Sequence, residues 1–165
     1  SLPQELGLSH TSGGVRMTRR PVRALEALRE RTRSFGPDDV APGGKDPLAG
    51  FEAELVELRV ACDVSPDADV TFDLRGVPVR YDAAKQELAV AGHTTAWPAT
   101  GGKLALIVYL DRTCVEVFSQ DGLLYAPVAA LPQESAGKVR LAVERGVAKG
   151  VRGEAHALRS SWSAR

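Results

Sequence analysis

An all-β fold, with two antiparallel sheets packed as a sandwich, is what this 165-residue sequence predicts, together with one short helix near the N-terminus. Three observations predict it. Most of the chain divides into short runs rich in Val, Leu, Phe and Tyr, separated by turn residues, with 16 Gly and 10 Pro as punctuation. The apolar residues of these runs recur with a period of two. No helical pattern alternates regularly with the strands, as a doubly wound dinucleotide-binding fold would require, and no repeat of about 20 to 50 residues marks a propeller or solenoid. The length suits a single domain spanning 1–165 with one core.

The elements follow in order. Residues 14–33 are expected to hold an N-terminal strand and the helix, carried by "RPVRALEALRERTR". There Pro21 suits a first helical position and Val22, Leu25 and Leu28 fall on one face. Residues 34–50, "SFGPDDVAPGGKDPLAG", read as a loop from their Gly, Pro and Asp content. Sandwich strands are expected over 51–162. Phe51, Ala53 and Leu55 alternate with Glu52 and Glu54; the apolar phase then moves to Val56, Leu58, Val60 and Cys62, which predicts a bulge near Leu55. Further strands are predicted at Val70–Leu74, Val77–Tyr81 and Glu87–Ala91. "KLALIVYLD", from Lys103, lacks alternation, as a central strand covered on both faces does. Thr113–Ser119 pairs naturally with it, "QDG" makes a hairpin turn with Gly122 free to take a positive φ, and Leu123–Leu131 returns along it. Lys138–Glu144 and "EAHALRSSW" complete the set, with Trp162 expected in the core.

Composition excludes several function classes. Lys plus Arg equals Asp plus Glu at 21 each, and the charges are interspersed, which disfavours nucleic acid and anionic membrane surfaces as partners. The longest apolar run, Leu104–Leu110, is too short to span a membrane. "SLPQELGLSH" has no basic start followed by an apolar stretch, so the chain reads as soluble and without a signal peptide. With Met17 its single methionine, it fits a mature form or a piece of something longer. Cys62 and Cys114 each sit in an apolar strand-like run and are expected as buried free thiols. His10, His93 and His156 are scattered, with no CxxC or HxxxH spacing, so no metal site and no cofactor are expected. The Gly-containing stretches carry neither a P-loop lysine nor a GxGxxG opening a helix.

Six stretches in order resemble one known family. "LPQELGL", "RPVRALEALR", "FEAELVEL", "VRYDAAKQEL", "LDRTCVEVFSQDG" and "HALRSSW" look like the C-terminal β-sandwich of glycoside hydrolase family 32, the invertases, levanases and inulinases. The resemblance covers nearly the whole chain and implies a sandwich of the concanavalin A-like or jelly-roll type. Enzymes of that family place their chemistry in an N-terminal β-propeller, with Asp, Asp and Glu in WMNDPNG-type, RDP and EC motifs. None of these motifs occurs here. Retaining hydrolysis needs two carboxyl groups about 5 Å apart across the scissile bond, and "DDV", "KDP" and "ACD" lack the motifs' context. Hydrolase activity is therefore not carried over, and no residue is assigned a catalytic role. The resemblance implies a catalytic β-propeller as partner, in cis or in trans, and a secreted or periplasmic setting. The sandwich is also similar to the levan-binding carbohydrate-binding module of family 66, which implies fructan or a small fructosyl sugar as a ligand.

Candidate ligand-reading residues follow from chemistry. In "TCVEVFS" alternation puts Cys114, Glu116 and Phe118 on one face, so Glu116 is expected to be at least partly buried. A buried carboxylate must be paired, and the family resemblance implies Arg112, Arg20 and Arg19 as its candidate partners. The same groups suit a shallow pocket for vicinal sugar hydroxyls. Arg112, Glu116, Asp121, Glu52 and Gln120 have the planar polar groups such a pocket needs, and Trp97 is either a stacking platform or a loop anchor. His93 reads as a surface loop residue without an acid–base partner. Aromatics make up only 5% of the chain, which favours end-on recognition of a terminal sugar over a flat stacking face. The competing reading is a structural domain packed on a catalytic propeller, and it predicts an exposed apolar patch of several hundred Å².

Overall fold

A computed structural model describes residues 1–133 and 137–161. Thirteen strands are found among them: β1 Gln4–Thr11, β2 Gly14–Pro21, β3 Arg29–Val40, β4 Val56–Val64, β5 Asp69–Leu74, β6 Val77–Asp82, β7 Glu87–Val90, β8 His93–Ala96, β9 Lys103–Leu110, β10 Cys114–Ser119, β11 Tyr125–Ala129, β12 Val139–Arg145 and β13 Ala148–Leu158. A six-stranded sheet in the order β11-β10-β9-β4-β13-β3 packs on a five-stranded sheet in the order β12-β5-β6-β7-β8. The strand pairs in both are antiparallel, so the chain is an all-β sandwich. β1 and β2 form a separate hairpin.

The core lies between the sheets, where alternation sends it. Val56, Leu58, Val60 and Cys62 of β4 and Leu104, Leu106, Val108 and Leu110 of β9 meet Phe72, Val79, Tyr81 and Leu88 from the other sheet, all buried. β9 is covered on both faces as its sequence predicts: its outward Ile107 and Tyr109 join Leu25 and Phe118 in a second, smaller cluster. Gly122 has φ +80° in the turn after β10, which β11 follows back along β10. Both cysteines are free, and burial pushes the Cys62 thiol up to about 12.

Four expectations need correction. The predicted helix is a single 3-10 segment, Arg23–Leu28, and the chain leaves it directly into β3. Its apolar residues Val22, Leu25 and Leu28 recur every third position, which matches 3.0 residues per turn. Second, residues 34–40 are not loop but the latter half of β3, an edge strand paired with β13. An edge tolerates Pro37, which has no N–H to donate, and register shifts opposite β13 absorb Gly36. Third, Phe51–Leu55 is no strand entering β4 through a bulge. Glu52 makes an isolated bridge to Lys138, Ala53 N–H donates to the Gly137 carbonyl, and β4 begins at Val56. Fourth, His93 stands exposed in the short strand β8 rather than in a loop. Trp162 lies outside the described residues.

Candidate functional site

The chemistry-bearing side chains gather on the outer face of the six-stranded sheet. Register sets them in one row across five strands: Glu116 faces Tyr109, Tyr109 faces Glu57, Glu57 faces His156, and His156 faces Thr32. The 3-10 segment lies over this row with Leu25 inward, and Leu2, Val22 and Leu28 pack beside it. Removal from water makes every charge in the row dependent on its partners.

Glu57 is fully buried (0% exposed) and is the hub. Arg29 grips it with two parallel bonds, Nε to Oε2 at 2.7 Å and Nη2 to Oε1 at 2.7 Å, and Arg59 Nε donates to Oε1 at 2.6 Å. Burial pushes this carboxyl up, but the hydrogen bonds and charges of Arg59 and Arg29 together outweigh it and hold the group below its ordinary value. Tyr109 beside it is pushed well up, by burial and then by the Glu57 charge. His156, 2% exposed, shares a hydrogen bond of 2.8 Å between Nδ1 and the Thr32 hydroxyl. Burial, with the Arg29 charge added, pulls its pKa down, so the ring is neutral at pH 7.

Glu116 is buried as expected, but its partners are not arginines. Tyr125 Oη donates to Oε2 at 2.6 Å and the Leu2 N–H donates to Oε1 at 2.7 Å. Tyr125 is raised by burial and then by this bond. Arg112 instead pairs with Glu54, Nε to Oε1 at 2.7 Å, where both side chains are exposed. Arg19 stacks over the Tyr125 ring and Arg20 donates to the Asp121 carbonyl.

The structure therefore brings two of the predicted residues together and separates the rest. Arg112 and Glu116 line one groove of about 300 Å³ with Leu28, Leu55, Tyr109 and Leu158. Asp121 is a turn residue whose carboxylate accepts from the Leu123 N–H at 3.0 Å and from the Ser119 hydroxyl. Glu52 is exposed on its bridge to Lys138. Trp97 is half-buried and packs edge-on against Tyr81 at 5.6 Å, the contact of a loop anchor. Gln120 follows β10 and is exposed. Sequence reasoning missed Glu57, Arg29, Arg59 and His156. The available signal was the opposite charge pair Glu57 and Arg59 in a strand whose intervening residues are all core. Among the described residues no cluster of three or more His, Cys, Asp or Glu has metal-binding geometry.

No family model matches the chain. A levanase from Bacillus subtilis (strain 168) is 29% identical over 185 aligned positions, which cover 98% of this chain and 27% of the levanase. The exo-inulinase of Aspergillus awamori superposes with a TM-score of 0.81 at 19% identity, over 98% of this chain and 36% of that one. A family 32 β-fructofuranosidase of Bombyx mori superposes with a TM-score of 0.61 at 18% identity, over 99% of this chain and 34% of that one. The chain spans 27% and 20% of the length of the two levanases it matches. In sequence and in fold, then, the chain is similar to the β-sandwich portion of glycoside hydrolase family 32 enzymes, as its six sequence stretches imply.

Proposed function

We propose that this chain is the non-catalytic β-sandwich of a fructan-active glycoside hydrolase and that it docks against a catalytic β-propeller through its N-terminal hairpin. The observation that carries the reading is the exposed apolar face of that hairpin. Leu6, Leu8, Val15 and Met17 are 66%, 76%, 54% and 54% exposed. Register sets Leu8 opposite Met17, with Leu6 and Val15 on the same face. The face continues past Met17 and Arg19 into a hollow walled by Leu123, Tyr125 and Pro127. Among the described residues β1 pairs with β2 alone, so its outer edge offers N–H and C=O groups for pairing. A two-stranded hairpin with such a face is marginal in water and gains most from a partner that covers it. The similarity to levanases and exo-inulinases, over a fraction of their length, supports a catalytic domain as that partner.

Hydrogen exchange tests this. Amides of β1 are expected to exchange quickly in the isolated chain and slowly when the chain is joined to its catalytic domain. Equal rates in both forms would reject docking, and release of fructose from levan or inulin by the isolated chain would reject the non-catalytic role.

Binding of a terminal fructosyl unit is the second reading. In the groove that Arg112 and Glu116 share, both charges are already engaged within the protein. The observation that favours this reading is a second, more polar hollow on the same sheet face.

A further inference from the structure

That second hollow, of about 330 Å³, is lined by Arg59, Gln120, Arg152 and Glu154, with Ala61 and Gly153 among its walls. The sheet register explains why it exists. Arg59 pairs with Glu154 and Ala61 with Arg152 across β4 and β13, and Ala61 faces Ala105 of β9. Ala61 and Ala105 supply only methyl groups on this face, so long polar side chains surround a low floor. Gln120 is held over it because its N–H donates to the Ala105 carbonyl at 3.0 Å. A register shift between Lys149 and Arg152 lies at the rim.

Two features separate this hollow from an ordinary charged surface. Glu154 forms no ion pair with either arginine among the described residues, although Arg59 is its cross-strand neighbour and Arg152 lies two residues away on the same strand. Arg59 is committed to Glu57 and Arg152 Nη1 donates to the Gly150 carbonyl. Next to Glu154, the Nε2 atom of buried His156 has no hydrogen-bond partner among the described residues and lies 3.4 Å from Glu154 Oε2. One wall is thus a carboxylate without a guanidinium partner, and the buried His156 ring stands behind it rather than in the hollow.

We infer that this hollow, rather than the groove at Arg112 and Glu116, is a binding site for a neutral sugar, a terminal fructosyl unit if the fructan reading holds. Charge balance selects the class of ligand. Glu57 and Glu26 together offset Arg29 and Arg59, and Glu154 offsets Arg152, so the hollow has no net charge to reward a phosphate or carboxylate. A hydroxyl both donates and accepts, and vicinal hydroxyls match a rim where guanidinium and amide donors alternate with carboxylate and amide acceptors. The volume is at the small end for ligand pockets, suited to one sugar ring. No aromatic ring lines it, so affinity is weak, with Kd on the order of 1 to 10 mM.

An NMR titration of the 165-residue chain with fructose, sucrose and short inulin chains tests the inference, with glucose as comparison. Amide shifts are expected at Gln120, Arg152, Gly153 and Glu154, together with a shift of the His156 ring signals. Glu154→Gln and Arg152→Ala should each weaken binding about tenfold or more, while Arg112→Ala leaves it unchanged. Both side chains are exposed, so an unperturbed spectrum elsewhere will show that the variants fold. Shifts centred on Cys114 to Glu116, lost in Arg112→Ala, would overturn the location while leaving the fructosyl reading intact. Equal response to glucose would overturn the fructosyl assignment. No shift with any sugar would overturn the site altogether, and the docking role would still stand or fall by hydrogen exchange at β1.

Discussion

At the scale of single residues, two buried glutamates of one sheet face should respond differently to the same change. Glu57→Gln removes the negative charge from between Arg29 and Arg59, whose side chains remain 20% and 33% exposed. Breaking a buried pair costs about 3 to 5 kcal/mol, and residual solvent places this one near the lower figure. Glu116→Gln strands no arginine. Its amide can accept from Leu2 N–H and donate to the Tyr125 oxygen, so the cost is about 1 kcal/mol. Urea unfolding of both variants checks the order. The pH dependence has a definite sign. His156 and Glu57 are both held below their unfolded values, so the unfolded state binds more protons and stability falls as pH drops. The His156 contribution is complete above 6.5 and is lost below it, and that of Glu57 is lost below 4.5. His156→Gln should therefore flatten the urea-midpoint profile between pH 6.5 and 4.5 while keeping the fall below 4.5. The site was half legible at this scale. Alternation in "TCVEVFS" foretold that Glu116 is buried, since it depends on that strand alone. Its partners come from Leu2 and Tyr125, one of them 114 residues away, and no local pattern encodes such a pairing.

At the scale of elements, β13 is the strand on which the six-stranded sheet turns, because it pairs with β4 on one side and β3 on the other and shifts register on both. Gly153 makes the double pairing possible. A Cβ there would stand 1.9 Å from the Arg59 carbonyl oxygen and 2.9 Å from the Phe35 ring, and neither strand can retreat without opening the other ladder. Gly153→Ala is expected to cost about 3 kcal/mol, the upper end for overpacking, and to lower Tm by roughly 6 to 12 °C for a chain of this length. Gly92→Ala is the control. Its φ is +85° but no atom lies within 4 Å of the added Cβ, so backbone strain alone should cost about 1 kcal/mol. Thermal unfolding of the pair separates close approach from backbone conformation. The same strand shows why β3 escaped the sequence. Gly36 and Pro37 are loop residues by composition, yet here they sit in an edge strand that bends past the shifts of β13. The inner strands were legible because period-two burial fixes their phase, as at Val56, Leu58, Val60 and Cys62. An edge strand carrying Arg29, Glu30, Arg31 and Arg33 has no such signature.

At the scale of the whole molecule, the sandwich is self-sufficient and the hairpin is not. The two sheets enclose a continuous core, whereas β1 and β2 bury little of their own and hold on at a few points. Arg19 N–H donates to the Gly122 carbonyl at 2.8 Å, Val22 N–H to the Pro3 carbonyl at 3.2 Å, and Thr18, 3% exposed, seats against the turn at Gly122. The inward face therefore fixes where the hairpin sits, and the outward face contributes almost nothing to the stability of the isolated chain. A quadruple variant, Leu6→Thr, Leu8→Thr, Val15→Thr and Met17→Thr, separates these roles. Exposed positions away from special features tolerate substitution within about 0.5 kcal/mol each, and Thr keeps the β preference of the strands. Tm of the isolated chain should thus move by only a few degrees, while its tendency to self-associate, read by sedimentation velocity, falls as the apolar face is removed. Joined to a catalytic β-propeller, the partner proposed above, the same variant should lose the slow exchange expected at β1. A large drop in Tm would instead place the four side chains in the support of the sandwich, and retained protection at β1 would show that its strand edge, without the apolar face, is enough to hold the partner.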